Sequence, residues 1–108
     1  MSQVQIQSTG YALNLVYSST YYTRMGTLGD GRFQLEVNTA SGSGGTITGT
    51  NSANCSGGAT GTIVSTTAFS KIQLTTTYYS LTGTMQGATL TIRDASTSSV
   101  VFTLVAPV

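Results

Sequence analysis

Apolar and polar residues alternate along much of this chain with a period of two, which is the pattern of β-strands that bury one face. Val4 and Ile6 alternate with three glutamines. The same period recurs in four further stretches, at Tyr11–Tyr17, Arg32–Val37, Lys71–Thr75 and Thr89–Arg93. A last segment, Val100 to Val105, is apolar at nearly every position, which predicts a central or doubly covered strand. Thr and Gly occur throughout and oppose helix formation, so the pattern predicts an all-β chain.

Turn residues separate these stretches. Gly29-Asp30-Gly31 predicts a hairpin turn between the Tyr-rich second strand and the Phe33 strand, and residues 94–98 predict the connection between the last two strands. Residues from about 38 to 58 are mostly Ser, Gly, Thr and Asn, which predicts a long surface loop with Thr46-Ile47-Thr48 as a short edge strand. We expect residues 1–108 to form a single β-sandwich of seven to nine short antiparallel strands, with Ig-like and jelly-roll connectivity both open.

The alternation also assigns a hydrophobic core. We expect its members to be the apolar residues that alternate with polar neighbours: Val4, Leu13, Leu15, Phe33, Leu35, Ile72, Leu74, Leu90, Ile92, Phe102 and Leu104.

An internal similarity links two parts of the chain. The segment 18–23 resembles 75–80, and at the same offset Phe33 and Leu35 align with Leu90 and Ile92. One interpretation is coincidence within a Thr-rich chain. The other is two related halves, each with a Tyr-rich strand, a turn and an amphipathic strand, which would suit two facing sheets.

The charge content is unusually low. Only 6% of the 108 residues are charged, against about 25% in a typical soluble domain. A net charge of +1 and four scattered basic residues provide no electrostatic footprint for nucleic acid. No apolar run reaches the roughly 18 residues of a membrane span, so we expect no membrane partner. Because charged residues usually keep sheet edges apart, their scarcity predicts a homo-oligomer.

Few residues are suited to catalysis. The chain has no His, one Cys and three carboxylates, which excludes Ser-His-Asp and Cys-His arrangements and most zinc sites. Asp30 and Asp94 are placed as turn residues, and Glu36 as a solvated strand residue. The sequence therefore predicts a protein that is not an enzyme and that needs no cofactor or metal.

Binding is the remaining class of function. One ring of each pair, Tyr21-Tyr22 and Tyr78-Tyr79, is expected to be exposed and able to stack on a sugar or fill a partner's pocket. The polar N-terminal segment and the Gly- and Ser-rich loop offer amides for hydrogen bonds. The candidate partner-binding residues are Gln3, Gln5, Tyr22, Tyr79, Asn51 and Asn54.

Part of the sequence resembles a known class of protein. Leu81-Thr82-Gly83, the stretch Ala88–Ala95 and the segment Val100–Leu104 resemble the closing strands of small phage and prophage virion domains, in which a strand ending in Arg-Asp turns into a Val-rich strand. The small size and polar, uncharged composition resemble capsid decoration (cement) proteins of tailed phages, with a baseplate or tail module as the neighbouring option. The resemblance implies an oligomer, with a trimer favoured, that binds the major capsid protein or another virion protein.

Two hypotheses follow for function. The first is a non-enzymatic decoration protein on the outer surface of a phage head. Since the first residues lack the basic start and apolar stretch of a secretory signal, we expect synthesis in the host cytoplasm and location at the virion surface. The alternative is a carbohydrate-binding module or lectin-like receptor-binding domain, with a glycan as partner.

Overall fold

The protein folds into two antiparallel β-sheets packed against each other, which confirms the predicted all-β sandwich. The structure is a computed structural model and describes residues 2–8, 10–18, 22–38, 45–50, 52, 54–57, 61–63, 71–74 and 78–107. Within these ranges the chain forms strands only: β1 (Ser2–Ser8), β2 (Tyr11–Ser18), β3 (Tyr22–Gly29), β4 (Arg32–Asn38), β5 (Gly45–Gly49), β6 (Asn54–Gly57), β7 (Gly61–Ile63), β8 (Lys71–Leu74), β9 (Tyr78–Gln86), β10 (Thr89–Asp94) and β11 (Val100–Val105). The short strands β5, β6 and β7 bring the number above the seven to nine expected.

The strand order places sequence neighbours side by side at both ends of the chain. The five-stranded sheet has the order β1-β2-β5-β8-β7, and the six-stranded sheet has the order β3-β4-β9-β10-β11-β6. Strands β1 and β3 are therefore edge strands, and they lie close to each other on the same side of the sandwich.

A single cluster of buried side chains fills the space between the sheets. The predicted core residues whose side chains are described are buried, except that Val4 is half-buried and packs against the others. Ile72 and Leu74 lie in β8, but their side chains are outside the described part. The structure adds buried residues that were not among the expected core members: Ile6, Tyr17, Ile47, Leu81, Met85, Val101 and Ala106.

The segment 38–58 is not one long surface loop. Strand β5 lies inside the five-stranded sheet, between β2 and β8, and Ile47 has none of its surface exposed. The prediction of a strand at this point is confirmed, but its expected position at the edge of a sheet is wrong. One isoleucine between two threonines is enough to give a short strand an apolar inner face. Strand β6 pairs with β11 at the edge of the other sheet.

Both predicted turns are confirmed in position, but the first joins the Phe33 strand to β3 and not to the strand Tyr11–Tyr17. Asp30 and Gly31 close the β3–β4 hairpin with positive φ angles of 53° and 74°, the conformation that favours an Asp-Gly turn. The turn between β10 and β11 is organised by Asp94, whose Oδ1 accepts hydrogen bonds from the Ser96 N–H (2.8 Å) and the Ser96 hydroxyl (2.7 Å).

Strand β11 lies inside its sheet, between β10 and β6, as its apolar sequence predicts. A register shift places Ile92 opposite Phe102 but Arg93 opposite Val100, so Val101 is left without a partner on β10. Such a bulge breaks the alternation of faces, and Val101 and Phe102 are consequently both fully buried.

The described parts of the two similar regions belong to two hairpins, β3–β4 and β9–β10, which lie in one sheet. The expectation of two facing sheets is wrong, because β4 pairs with β9 over its whole length and joins the hairpins edge to edge. At the aligned positions, Phe33 and Leu35 are buried like Leu90 and Ile92.

Candidate binding surfaces

The outer face of the five-stranded sheet presents a group of amides. Gln3, Gln5 and Gln7 of β1 are exposed, because Val4 and Ile6 take the inner positions. The Gln5 amide Nε2 donates to Asn14 Oδ1 at 3.1 Å, and Gln7 Nε2 donates to Gln5 Oε1 at 2.9 Å. These bonds order the side chains along the strand, so the predicted site residues Gln3 and Gln5 lie on one polar face beside a depression of about 310 Å³.

The outer face of the six-stranded sheet carries a row of hydroxyls that crosses four strands, here called the hydroxyl row. It consists of Thr84, Thr91, Thr103 and Ser56, each directly opposite the next in the strand register. The hydroxyl oxygens of Ser56 and Thr103 are 2.6 Å apart and share a hydrogen bond. Neighbouring strands lie about 4.8 Å apart, so the row is a regular array on a rigid support.

Sequence reasoning missed the hydroxyl row. Its signal is the Thr-x-Thr spacing at 82–84 and 89–91, which places both threonines of each pair on the same face. The sequence alone did not single out these threonines as a group. Their alignment depends on the pairing of β9, β10, β11 and β6, and a single strand does not reveal that register.

The other predicted site residues do not come together with Gln3 and Gln5. Tyr22 in β3 and Tyr79 in β9 lie at one end of the six-stranded sheet, with Asn38 and Val37 of β4 as their respective partners. Asn54 lies at the opposite edge of that sheet, in β6. The side chains of these three residues and the whole of Asn51 lie outside the described part.

A groove of about 540 Å³ runs between β1 and the β3–β4 turn. We call it the edge groove; its lining residues are Gln5, Ile6, Gln7, Ser8, Thr27, Gly29, Asp30, Gly31 and Arg32. The Arg32 guanidinium donates to the carbonyls of Leu28 and Gly29, both at 3.4 Å, and so stays beside the turn. The groove therefore offers amides, a carboxylate and a guanidinium, which are groups that bind hydroxyl-rich ligands.

The pKa of Asp94 is lowered by the hydrogen bonds of its turn. The hydrogen bonds from the Ser96 hydroxyl and N–H, with a weaker one from the Thr97 N–H, hold the pKa of Asp94 below its usual value of 3.8. These hydrogen bonds give Asp94 a structural role in the turn between β10 and β11. Within the described ranges, His, Cys, Asp and Glu side chains do not gather into a group of three or more that could hold a metal ion.

The described residues contain no helix of the length and apolar character needed to cross a membrane. Comparison of the chain with protein-family models, with curated proteins and with solved structures gave no match.

Proposed function

We propose that the protein is a non-enzymatic structural protein of a virion, a capsid decoration protein that binds the outer surface of the head and stabilises it. The observation that supports this proposal best is the hydroxyl row, an ordered array of uncharged polar groups on the outer face of the six-stranded sheet. The partner is the major capsid protein or another virion protein, and the place of action is the virion surface.

The geometry suits attachment through many weak contacts. Each hydrogen bond contributes a net stabilisation of only about 1 kcal/mol, so a hydroxyl surface binds firmly only when many groups act together. Because the sheet holds these hydroxyls in fixed positions, little conformational entropy is lost on binding. A capsid lattice repeats the same surface many times, and an oligomeric ligand gains affinity from simultaneous contacts with it. We therefore propose that the protein acts as a homo-oligomer; the resemblance to decoration proteins implies a trimer.

The edge groove supports a second candidate function, a carbohydrate-binding or lectin-like domain. Its lining combines the amides of Gln5 and Gln7 with the charged groups of Asp30 and Arg32. Such groups form hydrogen bonds to sugar hydroxyls, and the groove is within the size range of small-molecule sites.

Binding to expanded phage heads that lack decoration proteins separates the two functions. If the protein is a decoration protein, it should sediment with the heads and raise the temperature at which they are disrupted. The same protein, tested alone on a glycan array, should bind no glycan. Thr91→Lys, at the centre of the hydroxyl row, should weaken attachment, while Asp30→Asn in the edge groove should leave it unchanged. Glycan binding that Asp30→Asn abolishes, without binding to heads, would establish the second function in place of the first.

A further inference from the structure

The strand β1 has an open edge. It pairs with β2 along its whole length: Ser2 lies opposite Tyr17 at one end, and Ser8 lies opposite Tyr11 at the other. In the described part of the chain it is the terminal strand of the five-stranded sheet. Its sequence, Ser-Gln-Val-Gln-Ile-Gln-Ser, contains no charged residue, proline or glycine. Natural sheets use such residues, or bulges, to prevent pairing at an edge. The sequence of strand β1 has none of these protections, and in the described part of the chain only the β3–β4 turn lies beside its edge, at the Gln7 end.

The backbone groups of alternate β1 residues point toward this open edge. The Thr50 N–H donates to the Asn14 carbonyl at 2.9 Å, so the Asn14 backbone faces β5 and is turned away from β1. In an antiparallel pair, the backbone N–H and C=O groups of two directly opposed residues either point toward each other and form hydrogen bonds, or both point away from the pair. Since Gln5 lies opposite Asn14, its own N–H and C=O face the open edge, and by alternation so do those of Gln3 and Gln7.

The β3–β4 turn lies beside the Gln7 end of this edge. A Cβ atom on Gly31 would lie 3.3 Å from the Gln7 carbonyl oxygen. The edge groove opens beside the same residues, from Gln5 to Ser8, and provides space next to the strand.

The β1 sequence reads almost the same in both directions. With Gln5 as the centre, Ser2 corresponds to Ser8, Gln3 to Gln7, and Val4 to Ile6. A two-fold axis requires this kind of self-complementarity, because residue i of one copy meets residue j of the other and the reverse. If two copies of β1 paired antiparallel about Gln5, each Ser would lie opposite a Ser and each Gln opposite a Gln. Val4 would lie opposite Ile6, which has a similar side chain.

We propose that β1 pairs antiparallel with β1 of a second copy of this chain, about a two-fold axis at Gln5. Gln5 faces Gln5 of the other copy, and Gln3 faces Gln7. The outward backbone groups of the three glutamines then form about six hydrogen bonds between the copies. Val4 and Ile6 continue the apolar inner face across the junction, and the glutamine amides continue the polar outer face. Two five-stranded sheets become one sheet of ten strands.

This interface does not depend on what the protein binds. It gives a dimer, since a two-fold contact closes after two copies, whereas the trimer implied by the resemblance needs a contact between different surfaces. The oligomeric state of the isolated protein therefore tests the interface separately from its attachment to heads.

Disulfide cross-linking tests the register. Opposed residues of a hydrogen-bonded antiparallel pair have Cα atoms about 5.5 Å apart, within the roughly 4.4–6.8 Å that a disulfide spans. In a Cys55→Ala background, Gln5→Cys should form a covalent dimer under mild oxidation. Gln3→Cys alone should not, because the two copies of position 3 lie four residues apart along the paired strands. A mixture of Gln3→Cys and Gln7→Cys chains should cross-link to each other.

Charge reversal provides a test that does not rely on thiols. Gln5→Lys and Gln5→Glu each place like charges opposite one another at the axis and should raise the dimer dissociation constant at least about tenfold. An equimolar mixture of the two variants should restore the dimer, which also shows that both variants fold. Gln34→Lys, on the exposed face of β4, is the matched control and should dimerise normally. A monomeric wild-type protein, a dimer unaffected by these charges, or cross-linking of Gln3→Cys as fast as Gln5→Cys would overturn the proposal.

Discussion

The ring of Phe33 lies directly against the backbone of Gly83, its cross-strand partner on β9. A Cβ atom on Gly83 would overlap the ring carbons Cδ1 and Cε1 of Phe33 and approach Leu90 Cδ1 to 3.3 Å. Phe33 is fully buried and Gly83 lies beneath it, so the ring occupies the volume that a side chain at position 83 would need. The missing side chain is thus a packing requirement of the core.

Gly83→Ala should therefore lower the free energy of unfolding by about 3 kcal/mol, because the added methyl group forces the ring out of its position. Urea denaturation measures this change. Gly26→Ala is the matched control: it occupies the aligned position in the first hairpin, and a Cβ atom there has nothing within 4 Å. That variant should be as stable as the wild type or slightly more so.

Combining Gly83→Ala with Phe33→Leu should recover part of the lost stability. The smaller side chain leaves room for the methyl group, so the two substitutions should be coupled by about 1 kcal/mol or more. Purely additive effects would contradict the direct contact between the two residues.

The second prediction concerns the aromatic residues at the centre of the core. Phe33→Ala or Phe102→Ala should each cost about 3–5 kcal/mol, since both rings are fully buried and their removal leaves cavities. Leu28→Ala is the comparison, because Leu28 is 47% exposed and should lose less than about 1 kcal/mol. Thermal and chemical denaturation of the three variants would show whether the assigned strand register is correct.

Features that depend on neighbouring residues in one strand were predictable from the sequence, whereas features that depend on the pairing of distant strands were not. Alternation placed Phe33, Leu90 and Phe102 in the core because a strand face is decided by its own residues. It did not find Val101, since a bulge reverses the face without any change in composition. Ile47 was missed because a single apolar residue among threonines does not show a period.

Candidate sites were harder to predict for the same reason. Gln3 and Gln5 were correctly expected at the surface, because they alternate with Val4 and Ile6. The hydroxyl row could not be predicted, since Ser56 and Thr103 meet only through the pairing of β6 with β11, which are distant in sequence.

The third prediction concerns acid. Because the folded pKa of Asp94 lies below the unfolded value, its ionised form stabilises the turn at pH values above about 4, and this contribution is lost as the pH falls through the lower folded value. Asp94→Ala should cost about 1 kcal/mol at neutral pH, for the lost hydrogen bonds to Ser96. The difference from the wild type should shrink as the solution is made strongly acidic.

Asp94→Asn is the control for this effect. It keeps an Oδ1 acceptor for the Ser96 N–H but does not ionise, so its stability should change less with pH in the acidic range. Urea denaturation of all three proteins at neutral and acidic pH would make the comparison. An unchanged difference between the wild type and Asp94→Ala at low pH would show that the carboxylate charge has no part in the turn.

The fourth prediction is that attachment to the target is nearly independent of salt. With 6% charged residues, the contact surface of the proposed decoration protein should consist mainly of hydroxyl, amide and aromatic groups, which screening affects little. Raising the salt concentration from about 0.05 to 0.5 M should leave co-sedimentation with heads nearly unchanged. Tyr22→Ala or Tyr79→Ala should weaken it more than Lys71→Ala. Release by salt together with normal binding of the tyrosine variants would indicate an electrostatic contact.

The pairing of β4 with β9 has a consequence for how the chain reaches its native state. Each hairpin, β3–β4 and β9–β10, is local and can form in about 1–10 μs. Their junction brings Phe33 to Gly83, which is nearly half the chain away in sequence. Closing so long a loop costs entropy before the contacts between the hairpins can offset that cost. Topologies with such distant contacts fold slowly. We therefore expect the meeting of the two hairpins to limit the folding rate, so that substitutions at this junction should slow folding more than they speed unfolding.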